Sequence, residues 1–239
     1  MEMRFLPAGD EALIVEFGME IDDEINRKVQ RLADFIRSQN ISGIRELLPT
    51  FRSLMIFYNS NVISYKKLIG EIKHFKNDKD EGVAEKKKIL CVPCCYGSDY
   101  GPDLKEMSSR LGMSTEEIIK LHSQSDYKIY MLGFLPGFTY LGGLDKRIHM
   151  PRLDTPRTSI PAGSVGIGGN QTGVYPVASP GGWWLIGNTP IEFYNPQREM
   201  PVLCNAGEYI RFIPISISDY ESIQKDVKDN KYNPEYVYE

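Results

Sequence analysis

Five side chains that carry or can carry positive charge, Lys146, Arg147, His149, Arg152 and Arg157, fall within twelve residues of sequence. Arg152 follows Pro151 and Arg157 follows Pro156, so the ring before each arginine restricts the backbone from which its guanidinium projects. Two such planar forks aimed at one place would take a carboxylate or a phosphate. The same arginines could instead pair with Asp145 and Asp154 at the surface, where an ion pair contributes about 1 kcal/mol or less. Upstream, residues 133–141 set Phe134, Phe138 and Tyr140 among glycines, which reads either as aromatics packed beneath a barrel or as the wall of a ligand groove. Downstream, residues 160–176 contain Gly166, Gly168 and Gly169, whose bare N–H groups are candidates for holding the phosphates of a nucleotide. That run lacks the G-x-x-x-x-G-K-[ST] spacing, and no amphipathic helix follows Gly168, so hairpin turns of a barrel explain it equally well.

Gln171 and Tyr175 offer directional polar groups beside the same backbone, the means by which a small amide ligand is fixed. Trp183 and Trp184 must point to opposite faces if they share a strand, which places one in the core and the other near a surface or site. His122, at the end of a predicted helix, is the candidate proton-transfer group, although an isolated histidine is more often structural. No Ser-His-Asp, Cys-His or paired-carboxylate arrangement stands out, so the chain alone offers no complete catalytic set. Cys91 and Cys94 have metal-ligand spacing but lack a second ligand pair, since the histidines are the scattered His74, His122 and His149. No metal is expected, and Cys91, Cys94, Cys95 and Cys204 read as buried reduced thiols.

The elements that must position these groups fall into two parts. Residues 1–85 read as a small α+β domain of order β-β-α-β-β-α. It has a hairpin at 4–17, a helix from about Asp22 to Ser38, two strands within 43–58, and a helix after the Ser64 cap. The charged run 77–88 is the expected linker. Residues 86–218 read as a mainly-β barrel. It starts with a strand at 89–93 and helices at 102–111 and after the Ser114 to Glu117 capping box, followed by strands at 127–132, 164–167, 173–177, 184–188, 191–194 and 209–215. Residues 219–239 read as a polar C-terminal tail with a helix that frays. The barrel region is also where backbone shaping concentrates, because residues 131–190 hold 12 of the 21 glycines and 7 of the 15 prolines.

With 28 Lys and Arg against 32 Asp and Glu, the formal charge of −4 argues against nucleic acid as a partner. No 18-residue apolar run and no basic-then-apolar leader is present, so no membrane association is expected and the protein is expected in the cytoplasm.

Several segments together carry a resemblance: Pro93 to Gly97 with Gly101 to Leu104, Leu121 to Ser123, Gly133 to Leu141, Pro151-Arg152 with Pro156-Arg157, Pro161 to Pro176, Ser179 to Pro190, and the opening Pro7 to Leu13. In this order and spacing the chain resembles the family of 5-oxoprolinase B subunits, also labelled allophanate hydrolase subunit 1 or KipI-type sensor-kinase inhibitor. The departure is Cys94-Cys95, where the family usually has one cysteine. The resemblance implies an N-terminal α+β domain and a cyclophilin-like β-barrel. It also implies an ATP-dependent hydrolase that opens 5-oxoproline to glutamate together with the A and C subunits. The alternatives it carries are inhibition of a sporulation-type histidine kinase, docking through exposed aromatics such as Phe138 or Trp183, and a urea- or allophanate-related carboxyl-transfer role. Under the hydrolase reading, Arg152 and Arg157 supply cations for phosphoryl oxygens and His122 moves protons. Phe134, Phe138, Tyr140, Gln171, Tyr175 and Trp183 line the substrate groove, and Gly166, Gly168 and Gly169 hold the nucleotide.

Overall fold

The computed structural model describes residues 3–20, 22–75 and 86–239, and the chain divides into two units, Met1–Ala84 and Glu85–Glu239. Most of the charged run expected as a linker lies outside the described residues. In the first unit β1 (Arg4–Pro7) and β2 (Ala12–Glu16) form a hairpin with Phe5 opposite Val15. Helix α1 (Asp23–Gln39) begins where the Asp22 carboxylate accepts from the N–H groups of Glu24 and Ile25 at 2.8 and 3.0 Å, and it ends at Asn40 in the left-handed region. Strands β3 (Ile44–Pro49) and β4 (Ser53–Tyr58) complete an antiparallel sheet of order β1-β2-β4-β3, and α2 (Tyr65–Ile72) starts on its Ser64 cap. Alternation along the strands sends Leu13, Val15, Leu54 and Ile56 into one core with Val29, Leu32 and Ile36 of α1 and Leu68 and Ile72 of α2.

The second unit opens with β5 (Lys88–Tyr96), α3 (Leu104–Leu111) and α4 (Thr115–Ser123). The capping box at α4 is complete, with Ser114 and Glu117 each accepting from the other's backbone N–H. Then come β6 (Asp126–Leu132), β7 (Thr139–Gly142), β8 (Arg157–Ile160), β9 (Ser164–Gly168), β10 (Gln171–Val174), β11 (Ser179–Gly181), β12 (Trp184–Asn188) and β13 (Tyr209–Pro214). Helix α5 (Ile217–Lys228) and β14 (Glu235–Tyr238) end the chain. Seven strands close into a barrel in the order β12-β9-β10-β7-β6-β13-β5, with Gly187 of β12 opposite Tyr96 of β5 at the seam. β13 runs parallel to β5, while β8 and β11 form a separate two-stranded antiparallel sheet.

Two expectations change. Residues 219–239 are not a polar tail: β14 pairs with the first half of β5, placing Glu235 opposite Cys91 and Tyr238 opposite Lys88. The tyrosines drive this, since Tyr220 of α5 is buried with its hydroxyl 2.8 Å from Asn188 Oδ1, and Tyr236 donates to the Leu203 carbonyl at 2.8 Å. The strand expected at 191–194 is an irregular segment, because the Ile191 N–H is taken locally by the Thr189 hydroxyl and only Tyr194 bridges, to Val202. All four cysteines are buried and free. Among the described residues no helix is long and apolar enough to cross a membrane.

Candidate functional site

The barrel wall at β9 and β10 has two unlike faces. Val165, Ile167, Thr172 and Val174 point inward, where the apolar members join Leu90, Val92, Tyr127, Ile129, Leu141, Ile186, Ile210 and Phe212 from the other strands. Gly166, Gly168 and Gly173 occupy the alternate, outward positions, and a second hydrophobic cluster of Phe138, Ile160, Tyr175, Trp183 and Leu185 covers that side. Trp183 and Trp184 part between the two, Trp183 to the outer cluster and Trp184 to the inner one.

The outer glycines make room for Trp183 and, at Gly173, for the Thr139 carbonyl as well. A Cβ at Gly168 would overlap the indole Cδ1 and Nε1, one at Gly166 would lie 3.2 Å from both the Trp183 Cβ and the Trp184 carbonyl oxygen, and one at Gly173 would lie 2.4 Å from the Thr139 carbonyl oxygen and 3.0 Å from the far edge of the indole. Gly169 is different: it turns the β9–β10 hairpin at φ +67°, and its N–H donates to the Met150 carbonyl at 2.6 Å. The expected nucleotide cradle at Gly166, Gly168 and Gly169 is therefore corrected. Gly168 lies under the indole, Gly166 is enclosed by the Trp183 Cβ, the Trp184 carbonyl and Leu185, and the Gly169 N–H is bonded to Met150, so they do not fit a phosphate.

The aromatics expected to line a groove do assemble, but mostly as packing. Phe138 stands edge-on to Tyr140, Tyr175 and Trp183, with ring centroids 4.9, 5.0 and 5.5 Å apart. Phe138, Tyr175 and Trp183 are buried, which removes Phe138 and Trp183 as exposed docking aromatics for a kinase. Tyr140 and Gln171 are half-buried at the rim, and Phe134, held at φ +67°, is 59% exposed. Phe134 also lines an open depression of about 350 Å³ with Leu132, Leu135, Pro136 and Val202. Burial pushes the Tyr175 hydroxyl up to about 12, against the Trp183 backbone N–H it accepts and the charges of Arg152 and Arg157. Burial also raises Tyr140, again opposed by Arg152.

The two arginines separate in role. Arg157 Nη2 donates to Asp103 Oδ1 at 2.5 Å, so its charge is already matched by a buried carboxylate. Arg152 is exposed and forms no ion pair among the described residues. Its backbone neighbours are fixed: Trp184 Nε1 donates to the Pro151 carbonyl at 2.7 Å, and the Leu153 N–H donates to the Gly182 carbonyl at 2.8 Å. Asp145, the alternative partner for these arginines, binds Arg147 instead at 2.7 Å, and His149 meets the Leu144 carbonyl at 3.1 Å.

His122 is not a proton-transfer group facing this site. It is fully buried inside the barrel, where burial lowers its pKa to about 3 and keeps the ring neutral. The Thr172 hydroxyl donates to the Gly166 carbonyl at 3.0 Å, so it accepts from His122 Nε2–H at 2.8 Å, and Nδ1 accepts from the Tyr96 hydroxyl at 2.8 Å. Both nitrogens are thus committed to structure. The residue that sequence reasoning missed is Asp103, and the signal available was small: an aspartate opening a helix reads first as a cap.

Residues 3–204 match the family model for the carboxyltransferase domain, subdomain C and D. The 5-oxoprolinase B subunit of Bacillus subtilis (strain 168) is 43% identical over 229 residues, covering 91% of this chain and 95% of its own length. The 5-oxoprolinase B subunit of Escherichia coli O157:H7 is 34% identical over 206 residues, covering 86% and 93%. Among solved structures, the K. lactis urea amidolyase matches with a TM-score of 0.80 over 99% of this chain and 16% of that one, and at 22% identity this likeness shows the fold alone.

Proposed function

This chain belongs to the family of 5-oxoprolinase B subunits, within the carboxyltransferase domains of subdomain C and D, and on that premise we propose that it is the B subunit of a bacterial, cytoplasmic, ATP-dependent 5-oxoprolinase. With the A and C subunits it opens the lactam of 5-oxoproline to L-glutamate. The observation that carries this reading is 43% identity across nearly the whole of both chains.

The outer face of the barrel supports it chemically. A small cyclic amide bearing a carboxylate needs one cation, one flat apolar surface and a few directional hydrogen-bonding groups. Arg152 supplies the cation, the half-buried Tyr140 ring the surface, and the Tyr140 hydroxyl and Gln171 amide the polar contacts. Because the glycine run does not fit a phosphate, ATP is assigned to a partner subunit. This chain binds and orients the lactam, and its partners complete the catalytic set. Co-expression with the A and C subunits, followed by measurement of ATP-dependent glutamate release from 5-oxoproline, tests the reading. A stable three-subunit mixture that releases no glutamate overturns it.

The family model favours a second reading, transfer of a carboxyl group to a related small amide such as urea. The same mixture assayed with urea and bicarbonate distinguishes the two, since each predicts product from one substrate and none from the other.

A further inference from the structure

Asp103 stands at the N-cap position of α3, yet its carboxylate makes no cap hydrogen bond there. An aspartate in that place ordinarily accepts from the free N–H groups of its own helix. Here Oδ2 accepts from the Leu185 N–H at 2.7 Å and Oδ1 accepts from Arg157 at 2.5 Å, partners 82 and 54 residues away in sequence. Arg157 also donates through Nη1 to the Trp183 carbonyl at 3.4 Å. The ion pair therefore grips the backbone on both sides of Trp184, at the carbonyl of 183 and the amide of 185. Asp103 is only 6% exposed, so water competes little for these bonds. The stretch so held also places Gly182, whose carbonyl fixes Leu153, and Trp184, whose indole fixes Pro151, on either side of Arg152.

We propose that Asp103 and Arg157 are a positioning pair that seats Trp183 on the floor of Gly166, Gly168 and Gly173, leaving Arg152 as the guanidinium that takes the carboxylate of a small ligand. The identity of that ligand rests on the 5-oxoprolinase reading, whereas the positioning role rests on the geometry alone. Arg157 thus differs from Arg152 in kind: its charge is consumed in holding a wall, and that of Arg152 is presented to solvent.

The test labels both tryptophans of the full chain with fluorotryptophan and follows them by fluorine NMR, with Trp183→Phe assigning the resonances. Arg157→Ala and Asp103→Asn should each move or broaden the Trp183 resonance more than that of Trp184, with Arg157→Lys restoring part of the shift. Asp103→Asn keeps an acceptor for the Leu185 N–H, so it preserves the fold if Arg157→Ala does not. A Trp183 resonance unmoved in both variants overturns the positioning role. In the three-subunit mixture, Arg152→Ala should leave both resonances in place and raise the KM for 5-oxoproline about tenfold or more, the effect expected for loss of a charge-assisted hydrogen bond. An unchanged KM overturns the assignment of Arg152. If the unmutated mixture releases no glutamate, the ligand reading fails and the resonances still decide the positioning role.

Discussion

The inner and outer faces of β9 and β10 share a backbone and answer opposite demands. Inward, Val165, Ile167 and Val174 interlock with residues from the other barrel strands, and the polar groups among them, His122, Thr172 and Tyr96, bond to one another. Outward, the same strands carry glycine, which in a strand costs about 0.5–1 kcal/mol relative to alanine, so that a flat indole can lie against bare peptide. The inner face is built for stability by side-chain complementarity. On the outer face side chains are withheld to admit Trp183, and the groups left at the rim, Tyr140, Gln171 and Arg152, contribute little to the core.

The largest effect should come from breaking the inner face. His122→Ala leaves the Tyr96 hydroxyl without its acceptor and Thr172 without its donor, and opens a cavity where the imidazole packs on Tyr127 and Phe212 at 5.4 and 4.6 Å. Cavity and unsatisfied polar groups together should cost about 3 kcal/mol or more, read as a lower urea midpoint with an unchanged m-value. A loss below about 1 kcal/mol would show that the inner network is dispensable.

The same residue makes the inner face sensitive to acid. Burial holds folded His122 neutral down to about pH 3, while the unfolded chain takes up a proton near pH 6.5. Its contribution is therefore complete above pH 6.5 and declines by up to about 1.4 kcal/mol per pH unit as the pH falls from there toward 3. Unfolding free energies of the native chain and of His122→Gln between pH 7 and 4.5 should converge as the pH falls, carboxylate titration being common to both. Parallel curves would mean that the ring is protonated in the folded barrel.

The helix starts and much of the first unit were legible because they rest on periodicity and local caps. The start of α1 near Asp22 and the start of α4 at Ser114 follow from neighbours in sequence. The outer face was harder to read because its determinants are long-range. Residues 139–142 and the β8–β11 pair lie among Gly and Pro that signal turns, and β14 is a polar segment that becomes a strand only because the first half of β5 is available to pair with it. The glycines of 166–173 were recognisable as shaping backbone, but the object they admit is Trp183, ten residues beyond Gly173. Arg152 and Arg157 look alike in sequence, and only the carboxylate of Asp103, 54 residues before Arg157, separates them.

A smaller effect should follow from filling the outer floor. Gly168→Ala places a methyl group against the Trp183 indole, and overpacking of this kind costs about 1–3 kcal/mol. Gly169→Ala, with open space around its Cβ but φ at +67°, should cost about 1 kcal/mol through backbone strain alone. Near-UV circular dichroism should therefore change with Gly168→Ala and be preserved with Gly169→Ala. Equal changes in the two variants would mean that the hairpin turn, rather than the floor, determines where the indole sits.

The smallest effect on stability should come from Arg152→Ala. The side chain is exposed and forms no ion pair among the described residues, so its removal should shift the unfolding free energy by no more than about 0.5 kcal/mol. The KM for 5-oxoproline should nevertheless rise, because no other guanidinium in the Pro151 to Arg157 segment is free to replace it: Arg157 is held by Asp103. Arg157→Ala should instead lose stability and turnover together, since it leaves Asp103 buried without its counter-ion. The two variants separate a residue kept for a ligand from one kept for the scaffold. Loss of stability in Arg152→Ala comparable with that in Arg157→Ala would erase the distinction between the faces, because the rim would then be part of the packing it was expected to stand outside.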